Sequence, residues 1–345
     1  MTSTPRILVT GGSGYIAGVL IRQLLAAGWQ VHTTVRDLAR EPALRQMLGN
    51  DTGAVQDQLR CFAADLMHDA GWAQAAAGCS HVAHLASPLP AGVPRNANEL
   101  IVPARDGALR ALKAARDGGV QRVVMTSSVA AIAYGHGPGE HRFTESDWTR
   151  LEAPGIPPYV QSKTVAERAA RDWVAQEGGG LEFCTVNPSV VLGPVASADY
   201  SASVLIVRSL LEGRIPALPN IGFGIVDVRD VVELHWRALT APQRMANERF
   251  IACGGFLWLR EIAAILRAEL GDDARRVPTL QMPDWAVRLL AKVSPTVRAA
   301  ASELGTVRHQ DSTHAREVLG WVPRPPRETI VATARDLIAL GVLSR

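Results

Sequence analysis

The sequence has 345 residues, of which 47% are hydrophobic and 20% charged, with a formal net charge of +3. This length suits about two domains, or one large domain with an elaborated end. The composition is typical of folded globular proteins. Because the net charge is small and the basic residues form no run, we expect neither nucleic acid nor a membrane surface as a partner.

Targeting and metal-binding signals are absent from the sequence. No stretch reaches the roughly 20 uninterrupted apolar residues of a membrane-spanning helix, and glycines soon interrupt the first apolar run, which argues against a signal peptide. The four cysteines form neither a CxxC pair nor a Cys/His cluster. We therefore expect a cytoplasmic protein without metal or disulfides.

The first half alternates short apolar segments with longer amphipathic ones, a pattern typical of βαβ units and a parallel sheet. The predicted strands are Arg6–Thr10, Gln30–Val35, Leu59–Ala63, His81–Leu85, Arg122–Ser127 and Leu181–Val186. The predicted helices are Tyr15–Ala27, Glu41–Leu48, Asp69–Ala77, Asn96–Asp117 and Tyr159–Glu177. We predict an α/β fold, a Rossmann-type doubly wound parallel sheet.

The second half is less regular, and glycine, proline and serine are frequent in residues 191–224. The predicted elements there are helix Ser203–Glu212, strand Ile225–Val228, helix Val231–Leu239, strand Arg249–Ala252 and a last helix, Glu328–Leu340. We predict a nucleotide-binding Rossmann domain formed by residues 1–190 and 225–252. A smaller, mostly helical substrate lobe would comprise residues 191–224 and 253–345, and would cover the carboxyl edge where ligands bind in such sheets.

A glycine-rich turn joins the first predicted strand to the first predicted helix, with the spacing GxxGxxA at Gly11, Gly14 and Ala17. A helix N-terminus with free backbone N–H groups favours a pyrophosphate, and a Cβ at either glycine would obstruct that approach or forbid the turn. An ordinary tight turn is the alternative. The context predicts a dinucleotide site, with candidate contacts at Thr10, Gly11, Ser13, Gly14, Tyr15 and Ile16.

The end of the second strand predicts which dinucleotide is bound. NAD-specific proteins carry an acidic residue there, whereas this chain has Val35 followed by Arg36. A guanidinium suits a 2′-phosphate, and Arg40 could assist. Asp37 could instead pair with a neighbouring arginine. We therefore predict NADP(H), and the Rossmann domain would be the NADP-binding one.

Two further loops follow predicted strands at the same edge. Asp65 and Leu66 follow the third strand, and the carboxylate could accept from an adenine amino group. Small residues follow the fourth strand and would let the adenosine side pass; the candidates are Leu85, Ala86 and Ser87. His84 precedes them and is better interpreted as a structural strand residue than as a base.

A Tyr-x-x-x-Lys pair, Tyr159 and Lys163, opens a predicted helix, so both side chains share one helical face. Lysine occurs only three times, beside 33 arginines, which suggests that Lys163 does something arginine cannot. Ser127 and Ser128 end the fifth strand, after Thr126, which we expect to face the cofactor.

These residue types suit carbonyl reduction, which needs a proton for the developing alkoxide. Tyr159 would be the general acid, with its pKa lowered by the Lys163 ammonium and the bound cofactor. Ser128 would stabilise charge on the substrate oxygen, and Ser127 is the alternative for that role. The predicted catalytic residues are therefore Ser128, Tyr159 and Lys163, of which the last two also contact the cofactor.

Together these motifs resemble the extended short-chain dehydrogenase/reductase family, and within it the dihydroflavonol 4-reductase and aldehyde/ketone reductase branch. Further matching segments are 187–194, 226–231 and 319–321. The resemblance implies that Ser128, Tyr159 and Lys163 act together and that residues around Pro188 and Val191 pack on the nicotinamide. It departs from plant flavonoid reductases at Ala133, where those enzymes carry an asparagine that reads flavonoid hydroxyls.

The resemblance favours NADPH-dependent reduction of an aldehyde or ketone. The alternatives on the same fold are a hydroxysteroid dehydrogenase, a sugar-nucleotide epimerase or dehydratase, and a non-catalytic NADP-binding sensor. Substrate contact and plain packing are equally compatible with the candidate pocket residues Leu89, Ala130, Ala131, Tyr134, Tyr200 and Phe223. Helices Asn96–Asp117 and Tyr159–Glu177 form dimer bundles in many relatives, so a homodimer is an open expectation.

Overall fold

A computed structural model describes residues 4–49, 53–88, 94–195 and 203–344. The strands in these ranges are β1 (Arg6–Thr10), β2 (Gln30–Val35), β3 (Leu59–Ala63), β4 (His81–His84), β5 (Arg122–Thr126), β6 (Glu140–Phe143), β7 (Glu182–Pro188), β8 (Val190–Leu192), β9 (Gly222–Asp227), β10 (Arg249–Ala252), β11 (Gly255–Trp258) and β12 (Val307–Gln310).

The α-helices in the same ranges are α1 (Tyr15–Ala26), α2 (Glu41–Leu48), α3 (Gly53–Gln58), α4 (Trp72–Ala76), α5 (Asn98–Asp117), α6 (Pro158–Glu177), α7 (Val204–Leu211), α8 (Val228–Thr240), α9 (Leu259–Leu270), α10 (Asp284–Leu290), α11 (Pro295–Ala301), α12 (Thr313–Leu319) and α13 (Pro326–Ala339). Short 3-10 turns occupy Leu38–Arg40, Val129–Ala131 and Gly271–Ala274.

The main sheet contains seven parallel strands in the order β10-β7-β5-β4-β1-β2-β3. The order reverses between β1 and β4, and a crevice opens at the carboxyl ends of strands at such a switch point. The Rossmann-type fold predicted from the alternating pattern is confirmed. The expected bounds of β1, β2, β3 and β10 are also those of the structure.

Helices cover both faces of this sheet because consecutive strand residues point to opposite sides. On β1, Ile7 and Val9 join one apolar cluster with residues of α1, α2 and α8. Leu8 joins the other cluster, with residues of α4, α5 and α6. All three side chains are fully buried, and this two-sided burial holds the carboxyl edge of the sheet in place.

A second lobe is built around a three-stranded sheet in the order β11-β9-β8. The predicted strand Ile225–Val228, which we assigned to the Rossmann domain, lies outside the main sheet, since β9 pairs with β8 and β11. A Cβ on Gly222 would lie 2.3 Å from the Phe256 ring, so the close β9–β11 approach depends on that glycine. α7, α9 and α13 supply the apolar residues that pack with β9.

A two-stranded parallel sheet, β12-β6, joins the end of the chain to its middle. β12 thereby follows β6 residue by residue, from Val307 opposite Glu140 to Gln310 opposite Phe143. Among the described residues, no helix is both long enough and apolar enough to cross a membrane.

Candidate active site

The glycine turn lies at the carboxyl end of β1, beside the switch point. Gly11 has φ +70°, a left-handed conformation that favours glycine, and a Cβ there would lie 3.0 Å from the Ala86 backbone. A Cβ on Gly12 would lie 2.2 Å from the Thr33 hydroxyl oxygen. Gly14 caps α1 and is exposed. The turn therefore presents bare backbone at its edge, and a side chain at Gly11 or Gly12 would not fit without displacing neighbouring atoms.

Two buried threonines hold this turn. The Thr34 hydroxyl accepts from the Gly11 N–H at 2.9 Å. The Thr10 hydroxyl accepts from the N–H groups of Leu85 and Ala86 at 3.0 and 2.9 Å, and its third partner is His84 Nδ1 at 3.0 Å. Thr10 is fully buried. The Thr10 side chain thus links the glycine turn to the loop after β4. Because this side chain is engaged there, only the Thr10 backbone is available to a ligand.

The first turn of α1 contains the other predicted dinucleotide contacts. Ser13 is partly buried, and Ile16 packs against the apolar cluster of α1. The Tyr15 phenol donates to the Pro194 carbonyl at 3.0 Å. Burial, and to a smaller extent Asp227 and Asp336, raises the pKa of Tyr15. Tyr15 therefore links the glycine turn to the segment that follows β8.

Arg36 lies directly after β2 and is exposed. Asp37, which could have neutralised it, caps the following 3-10 turn instead, with its carboxylate accepting from the Ala39 N–H at 2.9 Å. Arg40 is the last residue of that turn and is also exposed. Val35 is buried. The structure thus places two guanidinium groups, and a neutral side chain, where the sequence predicts the 2′-phosphate.

The loops after β3 and β4 border the same edge. One carboxylate oxygen of Asp65 accepts from the Met67 N–H at 2.7 Å, so only the other oxygen is available to a ligand. Leu66 packs partly buried against the cluster below α5. Leu85, Ala86 and Ser87 are partly exposed. Among these loop residues, Ser87 has the most informative contact, because it reaches Lys163.

Lys163 and Tyr159 lie in the first turns of α6, which begins at Pro158 after the extended Pro157. The Lys163 ammonium donates to the Ser87 hydroxyl at 2.9 Å and lies 5.7 Å from the centre of the Tyr159 ring. The Ser128 side chain lies close enough to the Tyr159 phenol to influence its pKa. The structure therefore brings the three predicted catalytic residues together, beside a loop that the glycine turn fixes.

Burial controls the titration of these groups. Burial raises the pKa of Tyr159, and the Ser128 side chain opposes that rise. Burial lowers the pKa of Lys163 to about 8, against the opposing charge of Glu167. The expected lowering of the Tyr159 pKa involves Lys163 and the bound cofactor together and stays a prediction. In the protein alone burial is the larger effect, so the phenol is protonated near neutral pH.

His84 has the environment of a structural residue. Burial, together with the charge of Lys163, lowers its pKa to about 3. The imidazole is therefore neutral near pH 7, and its Nδ1 pairs with Thr10. His84 supports the turn and carries no charge into the crevice.

Thr126 and Ser127 turn away from the crevice, although they adjoin Ser128 in sequence. The Thr126 hydroxyl lies 2.7 Å from His235 Nε2 on α8, and the Nδ1 of that histidine bonds the Val231 carbonyl. Ser127 donates to the buried Glu167 carboxylate. The Thr126 side chain therefore does not face the cofactor side, and Ser127 is committed elsewhere as well. Ser128 is left as the serine beside Tyr159.

Glu167 is a site residue that the sequence-based reasoning missed. It lies one helical turn beyond Lys163 and is fully buried. Its carboxylate accepts from Arg249, Ser127 and Asn187, and pairs with Arg171. Burial alone would raise the pKa of Glu167, but the two arginines and the hydrogen bonds hold it below its usual value. The i+4 spacing from Lys163 was the signal that could have found it.

The remaining predicted residues lie around this centre. Pro188 ends β7 and Val191 lies in β8; both are buried. Ala130 and Ala131 are also buried, in the 3-10 turn after Ser128. Tyr134 stacks under Arg308, whose guanidinium carbon lies 4.3 Å from the ring centre. Phe223 is partly buried on β9. Leu89 and Tyr200 lie outside the described residues.

Tyr134 is close enough to Tyr159 for the two phenols to interact electrostatically. Burial raises the pKa of Tyr134 to about 12, and Glu303 and Tyr159 add to the rise. Arg308 pairs with Glu303 and donates to the Ala133 carbonyl at 3.0 Å. Glu303 and Arg308, which follow α11, therefore pack around Tyr134 beside the catalytic residues. The sequence predicts substrate contact in this region.

Residues 7–254 match the NAD dependent epimerase/dehydratase family. The chain belongs to this family. Several proteins similar to this chain are named as reductases. The expectation of an oxidoreductase of the extended short-chain dehydrogenase/reductase type is therefore confirmed.

Two relatives illustrate the similarity. The chain is 35% identical to the cinnamoyl-CoA reductase CAD2 of Medicago truncatula over 286 residues, which are 81% of this chain and 82% of the relative. It is 32% identical to the dihydroflavonol 4-reductase of Zea mays over 300 residues, 83% and 81% of the two chains. The crystal structure of Candida albicans Gre2 in complex with NADPH has a TM-score of 0.78 at 25% identity, covering 97% of this chain and 99% of that one.

Proposed function

We propose that this protein reduces an aldehyde or ketone to an alcohol with NADPH. The contact set of Tyr159, Ser128, Lys163 and Ser87 at the carboxyl edge of the sheet supports the proposal most directly. It combines a protonated phenol, a hydroxyl donor and a buried cation. Such a set can deliver a proton to an oxygen and stabilise the charge that forms there.

The residues of the crevice fit a dinucleotide. Bare backbone at Gly11 and Gly14 leaves room for phosphate oxygens at the N-terminus of α1, where free N–H groups and the helix dipole favour negative charge. Lys163 and Ser87 offer polar groups suited to ribose hydroxyls. When bound, NADPH would supply the hydride.

The selection of NADPH over NADH rests on Arg36. Its guanidinium is exposed and has no protein partner among the described residues, because Asp37 is engaged with the 3-10 turn. The neutral Val35 offers nothing to a free 2′-hydroxyl. One similar protein of known structure, Gre2 of Candida albicans, was crystallised with NADPH.

Tyr159 is the proton donor in the proposed reaction. Because burial holds its pKa above the ordinary value, the phenol is protonated near neutral pH and ready to donate. Ser128 donates a hydrogen bond to the same substrate oxygen and stabilises the developing negative charge. The Lys163 ammonium, 5.7 Å from the ring centre, stabilises the phenolate that remains.

The environment of the catalytic residues favours a carbonyl that lacks a hydroxyl pattern of the flavonoid kind. Ala133, which takes the place of the flavonoid-reading asparagine, is buried and offers only its carbonyl, already bonded to Arg308. Tyr134 and Arg308 stack beside it, and Glu303 neutralises the arginine. We therefore expect aldehydes, diketones or plain ketones to be better substrates than dihydroflavonols.

A screen of NADPH oxidation across aldehydes, diketones, ketosteroids and dihydroflavonols tests the proposal. Tyr159→Phe removes the proton donor, and we expect turnover to fall roughly 10²- to 10⁴-fold with NADPH binding retained. Lys113→Arg, an exposed change on α5, is the matched control and should behave as the wild type. Turnover by Tyr159→Phe equal to that of the wild type would contradict the assignment.

Cofactor choice has a separate test. Fluorescence titration with NADPH and NADH should show tighter binding of NADPH, and Arg36→Ala should weaken NADPH without weakening NADH. Equal or tighter binding of NADH to the wild type would end the inference from Arg36.

A homodimer through α5 and α6 and a cytoplasmic location remain parts of the proposal. Within one protomer the two helices pack extensively against each other, so they form one half of the proposed bundle. The four cysteines are free thiols, which suits a reducing compartment.

A further inference from the structure

The buried carboxylate of Glu167 lies outside the set that would touch a substrate, yet it contacts several elements that carry that set. It receives hydrogen bonds from Ser127 and from Asn187 Nδ2, the latter at 2.8 Å. Asn187 Nδ2 also donates to the Ser128 carbonyl at 3.2 Å. Glu167 is therefore tied by two routes, through Ser127 and through Asn187, to the backbone that positions Ser128.

Two arginines hold this carboxylate in place. Arg249 Nε donates to it at 2.7 Å, and the same guanidinium also donates to the carbonyls of Glu145 and Asp147. Arg171 Nε approaches it at 3.2 Å. Both partners are fixed themselves, so the negative charge of Glu167 has a defined position next to Lys163 on α6.

Lys163 has little other support for its charge. Its ammonium is buried and donates to one neutral hydroxyl, that of Ser87. Glu167 is the charged group that acts on the pKa of Lys163, and its other titratable neighbours are Tyr159, with its ring centre at 5.7 Å, and the neutral His84. The charged residues of α5, which packs along α6, are engaged elsewhere: Arg105 with Asp106, Arg110 with Asp69, and Arg116 with Asp117 and Glu177.

We propose that Glu167 is a positioning residue of the active site, which keeps the Lys163 head group charged and fixes Ser128 through Asn187 and Ser127. This inference rests on the proposed function only for its consequence in catalysis. Its physical content, the effect of one buried carboxylate on one buried ammonium, can be measured without any substrate.

The scarcity of lysine makes that measurement direct. The chain contains only Lys113, Lys163 and Lys292, so protein labelled with ¹³C at lysine Cε gives three signals, assigned with Lys113→Arg and Lys292→Arg. A titration followed by NMR reports the pKa of each. In the wild type we expect Lys163 to titrate near 8, with Lys113 and Lys292, both exposed, as internal references.

Two substitutions should move the Lys163 signal in opposite directions. Glu167→Gln removes the negative charge, and we expect the midpoint of Lys163 to fall by about one pH unit. Arg171→Gln removes a positive charge and keeps Glu167, so the midpoint should rise by a smaller amount. Loss of packing alone would not produce shifts of opposite sign.

Activity provides the second measurement. The alkaline limb of the pH profile of kcat/KM for NADPH-dependent reduction should follow the same two shifts, and Glu167→Asp should restore the wild-type limb in part. An unmoved Lys163 midpoint in Glu167→Gln overturns the inference. If Glu167→Gln does not fold, an Arg171→Gln midpoint that falls or stays unchanged overturns it instead. Should the midpoints shift as expected while no carbonyl is reduced, the proposed function fails and the positioning role of Glu167 stands.

Discussion

Two buried charges lie one turn apart on α6, and the protein treats them in opposite ways. Glu167 receives hydrogen bonds or ion pairs from Ser127, Asn187, Arg171 and Arg249. Lys163 donates to one neutral hydroxyl and has no ion-pair partner among the described residues. The pKa of each departs in the direction that this difference dictates: that of Glu167 falls, favouring charge, and that of Lys163 also falls, disfavouring charge.

The difference shows which charge is structural and which is functional. A buried charge that is fully paired contributes rigidity, and removing one partner is costly because the others are left unpaired. A buried charge with few partners lowers the stability of the folded state, so stability alone does not explain its presence. Such conflicts cluster at active sites, where a poised charge is useful. Lys163 fits this description and Glu167 does not.

The largest effect should follow from breaking the paired charge. Glu167→Ala leaves two guanidinium groups buried beside a gap, and we expect a loss of about 3–5 kcal/mol in the free energy of unfolding. Urea denaturation measures it. The control is Glu177→Ala at the other end of α6, where the carboxylate is half exposed and pairs with Arg116; it should cost less than about 0.5 kcal/mol. Equal losses in the two variants would erase the contrast.

For Lys163, the charge without an ion-pair partner, we expect the opposite effect: its removal should raise the free energy of unfolding. Lys163→Met replaces a desolvated cation by an apolar side chain of similar length, and we expect the protein to gain about 2 kcal/mol in stability near pH 7 while losing reductase turnover. Lys113→Met on the exposed face of α5 is the control and should change stability by less than about 0.5 kcal/mol. A Lys163→Met protein less stable than the wild type would show that the cation is well accommodated.

The pH dependence of that gain follows from the pKa of Lys163, which burial lowers from its ordinary 10.5 to about 8. Because the folded wild type binds this proton less tightly than the unfolded chain, its stability rises with pH between those two values. The advantage of Lys163→Met should therefore be complete below pH 8 and vanish above about pH 10.5. Urea denaturation of both proteins across this range checks the sign, and an advantage independent of pH would point to packing instead of charge.

The fold was predictable where local pattern and long-range pairing agree. β1, β2 and β3 are apolar runs bounded by polar turns, so their limits could be read from sequence. The limits of β6 and β12 could not be predicted from the sequence. Their pairing joins Glu140 to Val307, which are far apart in the chain, and no local sequence pattern indicates it. The sequence predicts a strand at β9, but not which sheet it joins, because its partner β11 and the close approach of Gly222 to Phe256 are visible only in the structure.

The candidate site was predictable to the same extent. The spacing of Tyr159 and Lys163 fixes their common face through helix geometry, and the order of motifs selects the strand that ends at Ser128. The direction of the Thr126 hydroxyl could not be inferred, because it is set by His235, more than a hundred residues away in sequence. The same holds for Glu167, whose role is defined by Ser127 directly after β5 and by partners on β7 and β10.

The smallest effects should separate two adjacent serines that the sequence alone could not rank. Ser127 belongs to the Glu167 contacts and Ser128 to the Tyr159 contacts. Ser127→Ala should cost about 1 kcal/mol in the free energy of unfolding, because one hydrogen bond to the Glu167 carboxylate is lost. Its turnover should fall much less than the turnover of Ser128→Ala.

Ser128→Ala should show the opposite balance. Its hydroxyl caps a short 3-10 turn through the Ala130 N–H at 3.1 Å, which is a weak contribution to stability. Its loss should reduce kcat roughly 10²-fold, because a donor to the developing oxyanion is gone. Urea denaturation and NADPH-oxidation kinetics on both variants resolve the pair: if Ser127→Ala loses more turnover than Ser128→Ala, the division between the structural charge and the functional one is drawn in the wrong place.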